Sequence, residues 1–230
     1  MEKKLFLFDI DGILSKFLLK LPSDYWQASL KKYFAVDASI SEIYNVGKTD
    51  KAILLEMLAV KGIKNPDAKK LELSLKHVGK LGSHYIEEHG IAAVLNSDKF
   101  VAASKQKAYV GLLTGNCTRR ALAKINALDL MEYFSPMIGS FGEEAEKRSD
   151  LVEIAMRDAE KKTSIVFGKS DVYIIGDTVR DIWCAKEAGV KVIAVATGPE
   201  NFETLEREKP DFLFKDFSNV EAMLREILKK

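Results

Sequence analysis

Two aspartates stand two residues apart in Phe8-Asp9-Ile10-Asp11-Gly12, directly after a short apolar run. In an extended segment residues i and i+2 point the same way, so both carboxylates are expected to face one site. Charges of like sign that close repel unless a cation or a proton separates them. Magnesium suits the place, because it prefers oxygen ligands and often sits with phosphates. An acidic strand-to-loop turn with a local Asp cap accounts for the same residues without chemistry.

Three further groups have the same double character. In Leu112-Leu113-Thr114-Gly115-Asn116 a hydroxyl and two backbone amides stand before a helical pattern, where they can hold a phosphate or simply cap a helix. Glu146-Lys147-Arg148-Ser149 offers a cation for phosphoryl oxygens and for Asp9, or a solvated charge run. Lys147 and Arg148 both qualify. In Ile174-Ile175-Gly176-Asp177-Thr178-Val179-Arg180-Asp181 the spacing puts Asp177 and Asp181 within reach of one cation. A helix cap followed by a first-turn acid reads the same way, and the two roles are compatible.

These groups need elements to position them. Near-continuous apolar runs at 5–8, 109–113, 172–175 and 192–196 read as strands buried on both faces, with weaker ones at 137–138 and 212–214. Helical patterns at 118–128, 149–161, 179–188 and 218–228 follow most of them. Strands alternating with helices predict an α/β fold, a doubly wound parallel sheet, whose ligands bind beyond the carboxyl ends of the strands. All four groups fall at such ends or just before a helix. The stretch from about 15 to 90 is different: helices are expected at 23–34, 49–60 and 67–88, with no buried strand between them. It reads as a helical cap inserted after the first strand, leaving residues 1–14 and 91–230 as the core.

Taken in order, the four groups resemble the four motifs of the haloacid dehalogenase superfamily, specifically its phosphatases. The insert resembles that family's first type of cap, and Gly47-Lys48-Thr49-Asp50 resembles a segment of its phosphoglycolate-phosphatase-like members. The resemblance covers essentially the whole chain. It implies a magnesium-dependent phosphomonoester hydrolase that works through an aspartyl-phosphate on a small phosphorylated substrate, such as a phosphoglycolate-like acid or a sugar phosphate. Asp9 would be the nucleophile and Asp11 the general acid and base. Asp9, the Asp11 carbonyl and Asp177 would hold magnesium, with Asp181 completing or orienting the set. Thr114, Gly115 and Asn116 would hold the phosphoryl oxygens, and Arg148 would take the place of the usual lysine. Lys48, Thr49 and Asp50 would face the substrate, unless Thr49 merely caps a helix. Ile13 replaces the family's usual Thr or Val, a position that is mainly structural.

Other functions compete. A phosphoglucomutase-type phosphotransferase shares the same core. A receiver-like phospho-acceptor puts its Asp after the third strand, whereas Asp9 follows the first. A non-catalytic protein of the same fold would have little reason to keep all four of Asp9, Asp11, Asp177 and Asp181.

Lys plus Arg number 35 and Asp plus Glu 34, so net charge demands neither nucleic acid nor an anionic membrane as partner. No apolar run approaches the roughly 20 residues needed to span a bilayer. Met1-Glu2-Lys3-Lys4 with its short apolar sequel makes a poor signal peptide. Two cysteines, Cys117 and Cys184, make no disulfide framework, and a cytoplasmic setting is expected. His77, His84 and His89 complete no metal pattern. Trp26 is expected to pack in the cap and Trp183 in the core. The sequence sets no oligomeric state.

Overall fold

The computed structural model describes residues 3–16 and 24–229. The expected helix start at Ser23, the opening Met1-Glu2 and the final Lys230 lie outside the described residues. Within them, β1 (Leu5–Phe8), β2 (Tyr109–Leu113), β3 (Gly139–Ser140), β4 (Val172–Gly176), β5 (Lys191–Val195) and β6 (Phe212–Phe214) form one sheet. Its order is β3-β2-β1-β4-β5-β6 and every pairing is parallel. Between β1 and β2 the chain makes α1 (Asp24–Phe34), α2 (Asp50–Val60), α3 (Ala68–His89) and α4 (Ser97–Lys105). Then α5 (Thr118–Ala127), α6 (Asp150–Thr163), α7 (Val179–Ala188), α8 (Phe202–Arg207) and α9 (Val220–Leu228) follow β2 to β6 in turn.

Alternation along the strands divides the core. Phe6, Phe8, Val110, Leu112, Tyr173 and Ile175 face one side, where α4, α5 and α9 pack. Leu5, Leu7, Leu113, Val172 and Ile174 face the other, against α6, α7 and α8. Period-2 patterning of fully apolar strands therefore feeds two helical layers, as a doubly wound sheet requires. Phe8 meets Phe100 and Phe134 edge to face at 5.9 Å each, contacts worth about 0.5–1.5 kcal/mol apiece beyond their buried area.

The chain leaves β1 toward β2 and β3, then returns to β4 on the other side of β1. That reversal is the switch point where open α/β sheets bind ligands. Asp9 and Asp177 are the residues that follow β1 and β4 there.

The helices α1, α2 and α3 share an apolar cluster of their own. Tyr25, Trp26, Leu30, Ile53, Leu54, Met57, Leu58, Leu75 and Val78 meet in it, and Cys117 joins from the far side. Asp67 caps α3 through the Lys70 amide, and Gly90 ends it at φ +69°.

Three expectations need correction. The strand expected at 137–138 falls at Gly139–Ser140, because these two small residues pair with Leu112 and Leu113. Ile138 only leads in, its carbonyl accepting the Leu112 amide. The short helices α4 and α8 were not expected at all. Trp183, expected in the core, is half exposed on α7 and donates its indole N–H to Glu208 at 2.8 Å.

Candidate active site

Asp9 is almost wholly buried where β1 ends. Its Oδ1 accepts the Ile10 amide and its Oδ2 accepts from Arg148 Nη2, each at 2.7 Å. The same Nη2 donates to Asp181 Oδ1 at 2.7 Å, and Arg148 Nη1 reaches the Gly47 carbonyl. One guanidinium thus joins the ends of β1 and the start of α7 to the helical insert. Lys147, the other cation in that run, points to the surface and pairs with Glu187. Of the two, Arg148 is the one whose side chain reaches Asp9.

Asp181 is fixed twice over. Its Oδ2 accepts from the Thr178 amide and hydroxyl, a capping box that starts α7. Asp177 is the opposite case. Both of its carboxylate oxygens are buried and have no hydrogen-bond partner. Backbone closes around it: a methyl group on Gly12 would lie 2.1 Å from Asp177 Oδ2, and one on Gly198 only 1.6 Å away. One oxygen each from Asp9, Asp177 and Asp181 lies within 4.8 Å of the others.

The electrostatics follow. Burial raises the Asp9 carboxyl to about 6, against the downward pull of Arg148. Burial also pushes Asp177 well above the usual carboxylate range, and Asp181 and Asp9 push it the same way. A buried carboxylate with two orphaned oxygens is costly unless a proton or a cation accompanies it. This set of three oxygen donors fits magnesium, a hard cation that takes carboxylate ligands.

Asp11 does not share that pocket of charge. Its side chain turns to Lys124, whose ammonium donates to both carboxylate oxygens at 2.6 Å. Asn116 Nδ2 donates to Oδ2 at 2.8 Å. Burial alone would raise Asp11, but Lys124 and Asn116 outweigh it and hold the carboxyl at about 2. The i, i+2 spacing brings both carboxylates to one cavity, yet their oxygens serve different partners.

The second network continues from Asn116, whose Oδ1 accepts from Lys124 and from Arg120 Nε. Arg120 also donates to Asp50 Oδ1 at 2.6 Å and to the Tyr25 hydroxyl at 3.0 Å. Asp50 Oδ2 accepts the Cys117 amide. Burial, with Asp50 adding to it, raises the Cys117 thiol well above its ordinary range, so it is no ready nucleophile. Arg120 and Lys124 are both buried.

Gly115 is required by close approach: a methyl there would sit 2.1 Å from the Lys48 carbonyl. The segment 47–51 lies directly on the core loops, with the Asp50 amide on the Gly115 carbonyl and the Lys51 amide on that of Gly142. Thr49 borders a neighbouring cavity and not the one that holds Asp9. It caps α2 by accepting the Ala52 amide and donates to the Glu146 carbonyl at 2.8 Å. The Lys48 ammonium is held by Glu56. Thr114 is wholly buried under the loop, its hydroxyl accepting from Asn116 Nδ2. Asp9, Asp11, Asp50, Gly115, Asn116, Arg148 and Asp177 all border one cavity of about 340 Å³, roofed by Tyr25 and Trp26.

A model of the haloacid dehalogenase-like hydrolases matches residues 6–195. The chain belongs to this family. The haloacid dehalogenase-like match takes in every core carboxylate described above. Over 100 residues the chain is 32% identical to the "Putative pyrophosphatase PpaX" of Caldanaerobacter subterraneus subsp. tengcongensis, which covers 43% of each protein. The chain thus spans less than half the length of that curated relative. A "Putative beta-phosphoglucomutase" from Bacteroides vulgatus has a similar structure, with a TM-score of 0.66 at 16% identity, covering 99% of this chain and 89% of the other. So does a "predicted phosphoglycolate phosphatase" from Haemophilus somnus 129PT, with a TM-score of 0.63 at 20% identity, covering 97% and 98%. At such identities the likeness shows the shared fold.

Sequence reasoning missed Arg120 and Lys124. The signal was present: Asn116, Arg120 and Lys124 are spaced by four along α5 and its approach, one polar stripe beside the apolar Ala121 and Ile125. Tyr25 and Trp26 gave no comparable signal, because an aromatic pair on a helix reads as core.

Proposed function

We propose that this hydrolase removes phosphate from a small phosphorylated metabolite through a phosphoryl group carried on Asp9. The observation that supports it is the state of Asp9: buried at the switch point, paired to Arg148, open to the cavity and adjacent to the partnerless Asp177.

In this reading an Asp9 carboxylate oxygen attacks phosphorus and the bond from phosphorus to the alcohol oxygen breaks. Asp11 gives the departing alcohol its proton. Water then attacks the acyl phosphate, Asp11 takes a proton from it, and Asp9 and inorganic phosphate are released. Arg148 neutralises charge on Asp9 and on the phosphoryl oxygens, while Gly115 and Asn116 on the cavity wall orient those oxygens and the buried Thr114 supports that loop through Asn116. Asp9, the Asp11 carbonyl and Asp177 would hold magnesium, with Asp181 orienting them. When bound, the metal supplies positive charge that screens nucleophile from substrate.

Lys124 holds Asp11 ionised, which suits the base half of the cycle directly. The acid half needs Asp11 to take up a proton, and an arriving phosphate dianion favours that by raising its affinity for one. Residues 15–90 would act as a cap that excludes water and sets specificity, on a core of 1–14 and 91–230. Lys48, Thr49 and Asp50 then serve to dock the cap, with Asp50 also bordering the cavity.

Among the described residues no helix is long and apolar enough to cross a membrane. The two buried free thiols suit a reducing cytoplasm.

The test is hydrolysis of a generic aryl phosphate with magnesium, with a chelator, and by Asp9→Asn. Magnesium-dependent release of inorganic phosphate that Asp9→Asn abolishes is expected. Turnover that survives Asp9→Asn would overturn the reading. Phosphate delivered to a sugar rather than to water would instead identify a phosphotransferase.

A further inference from the structure

We infer that the substrate's leaving group is uncharged: the cavity takes the phosphate monoester of a small neutral alcohol with an apolar face. The inference deepens the phosphatase reading and rests on it.

The cavity has two unlike halves. Its floor holds Asp9, Asp11, Asp177 and Arg148 at the strand ends. Its roof comes from the helical insert, where Tyr25, Trp26, Ile40, Ile43, Val46 and Ile53 line it. A leaving group bound above the phosphoryl group therefore meets mostly hydrocarbon. The polar exceptions from the insert are Ser41 and Asn45, able to hydrogen-bond a hydroxyl, and Lys48 and Asp50, each already in an ion pair. At about 340 Å³ the space lies near the low end for small-molecule sites.

Charge points the same way. Among the described residues four cations line the cavity: Lys48, Arg120, Lys124 and Arg148. Each already has a carboxylate. Lys48 pairs with Glu56, Arg120 with Asp50, Lys124 with Asp11, and Arg148 with Asp9 and Asp181. Arg120 is the only one of the four against the aromatic roof, its guanidinium 5.7 Å from both the Tyr25 and Trp26 rings. Each of its three nitrogens already donates one hydrogen bond, to Asn116, Tyr25 and Asp50. A carboxylate or second phosphate on the leaving group would enter this half and meet only a cation already paired with a carboxylate, Arg120 with Asp50. Burying an unpaired charge is strongly unfavourable, so the arrangement discriminates against such substrates.

The experiment compares kcat/KM for n-propyl phosphate, phosphoglycolate and pyrophosphate with the full-length protein and magnesium. Propyl phosphate and phosphoglycolate are close in size and differ in the charge of the leaving group. Propyl phosphate is expected to be favoured by about tenfold or more over either anionic compound. A second arm uses Glu56→Gln, a change at a partly exposed side chain in the neighbouring cavity that Lys48 also lines. It frees the Lys48 ammonium, and the ratio of phosphoglycolate to propyl phosphate turnover is expected to rise several-fold. Preferred turnover of phosphoglycolate or pyrophosphate that Asp9→Asn abolishes would overturn the inference and leave the phosphatase reading standing. A ratio unmoved by Glu56→Gln would overturn the charge argument. Absence of turnover on all three, and on the aryl phosphate, would overturn the phosphatase reading and this inference with it.

Discussion

Lys124 donates to both carboxylate oxygens of Asp11 at 2.6 Å from a side chain that is itself almost wholly buried. A buried ammonium is costly, and burial does lower the proton affinity of Lys124. Asp11, with Asp50 behind it, opposes that burial and favours the charged form. The pair sets where the Asp11 carboxylate points and which protonation state it starts from.

Lys124→Met should therefore impair catalysis more than folding. Asp11 keeps Asn116 and Ser15 as partners and its side chain retains some exposure to solvent. A fall in kcat of about 100-fold is expected, the scale of a misplaced general acid and base. Steady-state kinetics with a circular-dichroism melt checks it. An unchanged kcat with a lowered Tm would mean that Lys124 only supports the fold.

Gly198→Ala tests the metal site without touching a ligand. Its new methyl would lie 1.6 Å from Asp177 Oδ2, so the carboxylate or the turn must move. The unaltered protein at about a hundredfold excess of magnesium over Kd should gain about 2.7 kcal/mol of stability. Gly198→Ala should lose most of that gain, read as a missing rise in Tm on adding magnesium. A full rise in the variant would remove Asp177 from the set of metal ligands.

What could be read beforehand follows from the range of the interactions. The four strands nearest the site were legible because each is apolar through both faces, and the carboxylates because they stand where those strands stop. The edge strand at Gly139–Ser140 was misplaced, since its residues are chosen by pairing with Leu112 and Leu113 and not by their own hydrophobicity. Thr49 was readable both as a cap and as a substrate contact; the structure shows the cap and, beyond what sequence could reach, its bond to the Glu146 carbonyl. Arg120 and Lys124 were lost because a basic stripe on a helix normally faces water. Here the insert covers it, through Tyr25 and Asp50. Sequence placed helices between the first two strands but did not show where they land.

The adjacent cations Lys147 and Arg148 give a clean contrast. Arg148 bridges Asp9, Asp181 and the Gly47 carbonyl, and Lys147 bonds only Glu187 at the surface. Arg148→Ala should lower kcat/KM by about 100- to 1000-fold, the scale for losing an oxyanion-stabilising donor. Arg148→Lys should recover part of that loss, because a point charge cannot span all three acceptors. Lys147→Ala should leave turnover close to that of the unaltered protein. Kinetics of the three variants side by side decides it, and equal losses at 147 and 148 would contradict the assignment.

Removing the metal should invert the dependence of stability on pH near neutrality. Burial raises Asp9 to about 6 in the folded chain against 3.8 for an ordinary aspartate, and Asp177 is shifted upward as well. For a raised carboxyl the fold favours the protonated form. Its contribution is fully present below the unfolded value and is lost as pH rises through the folded one. Asp11, held at about 2, has the opposite sign, and its contribution fades only as pH falls below the ordinary carboxylate range. Between about pH 5 and 7 His77 opposes the raised groups, its proton affinity lowered by burial and by Lys32 and Lys80, but two fully buried carboxyls outweigh one partly buried imidazole. With a chelator, Tm should thus climb as pH is lowered from 7 toward 5. With saturating magnesium the cation takes the place of those protons, so the climb should flatten and the stabilisation by magnesium should shrink below about pH 6. Melts across this range with and without metal give the answer. A metal-free Tm that falls steadily from pH 7 to 5 would show that Asp9 and Asp177 are not held in their protonated forms by burial.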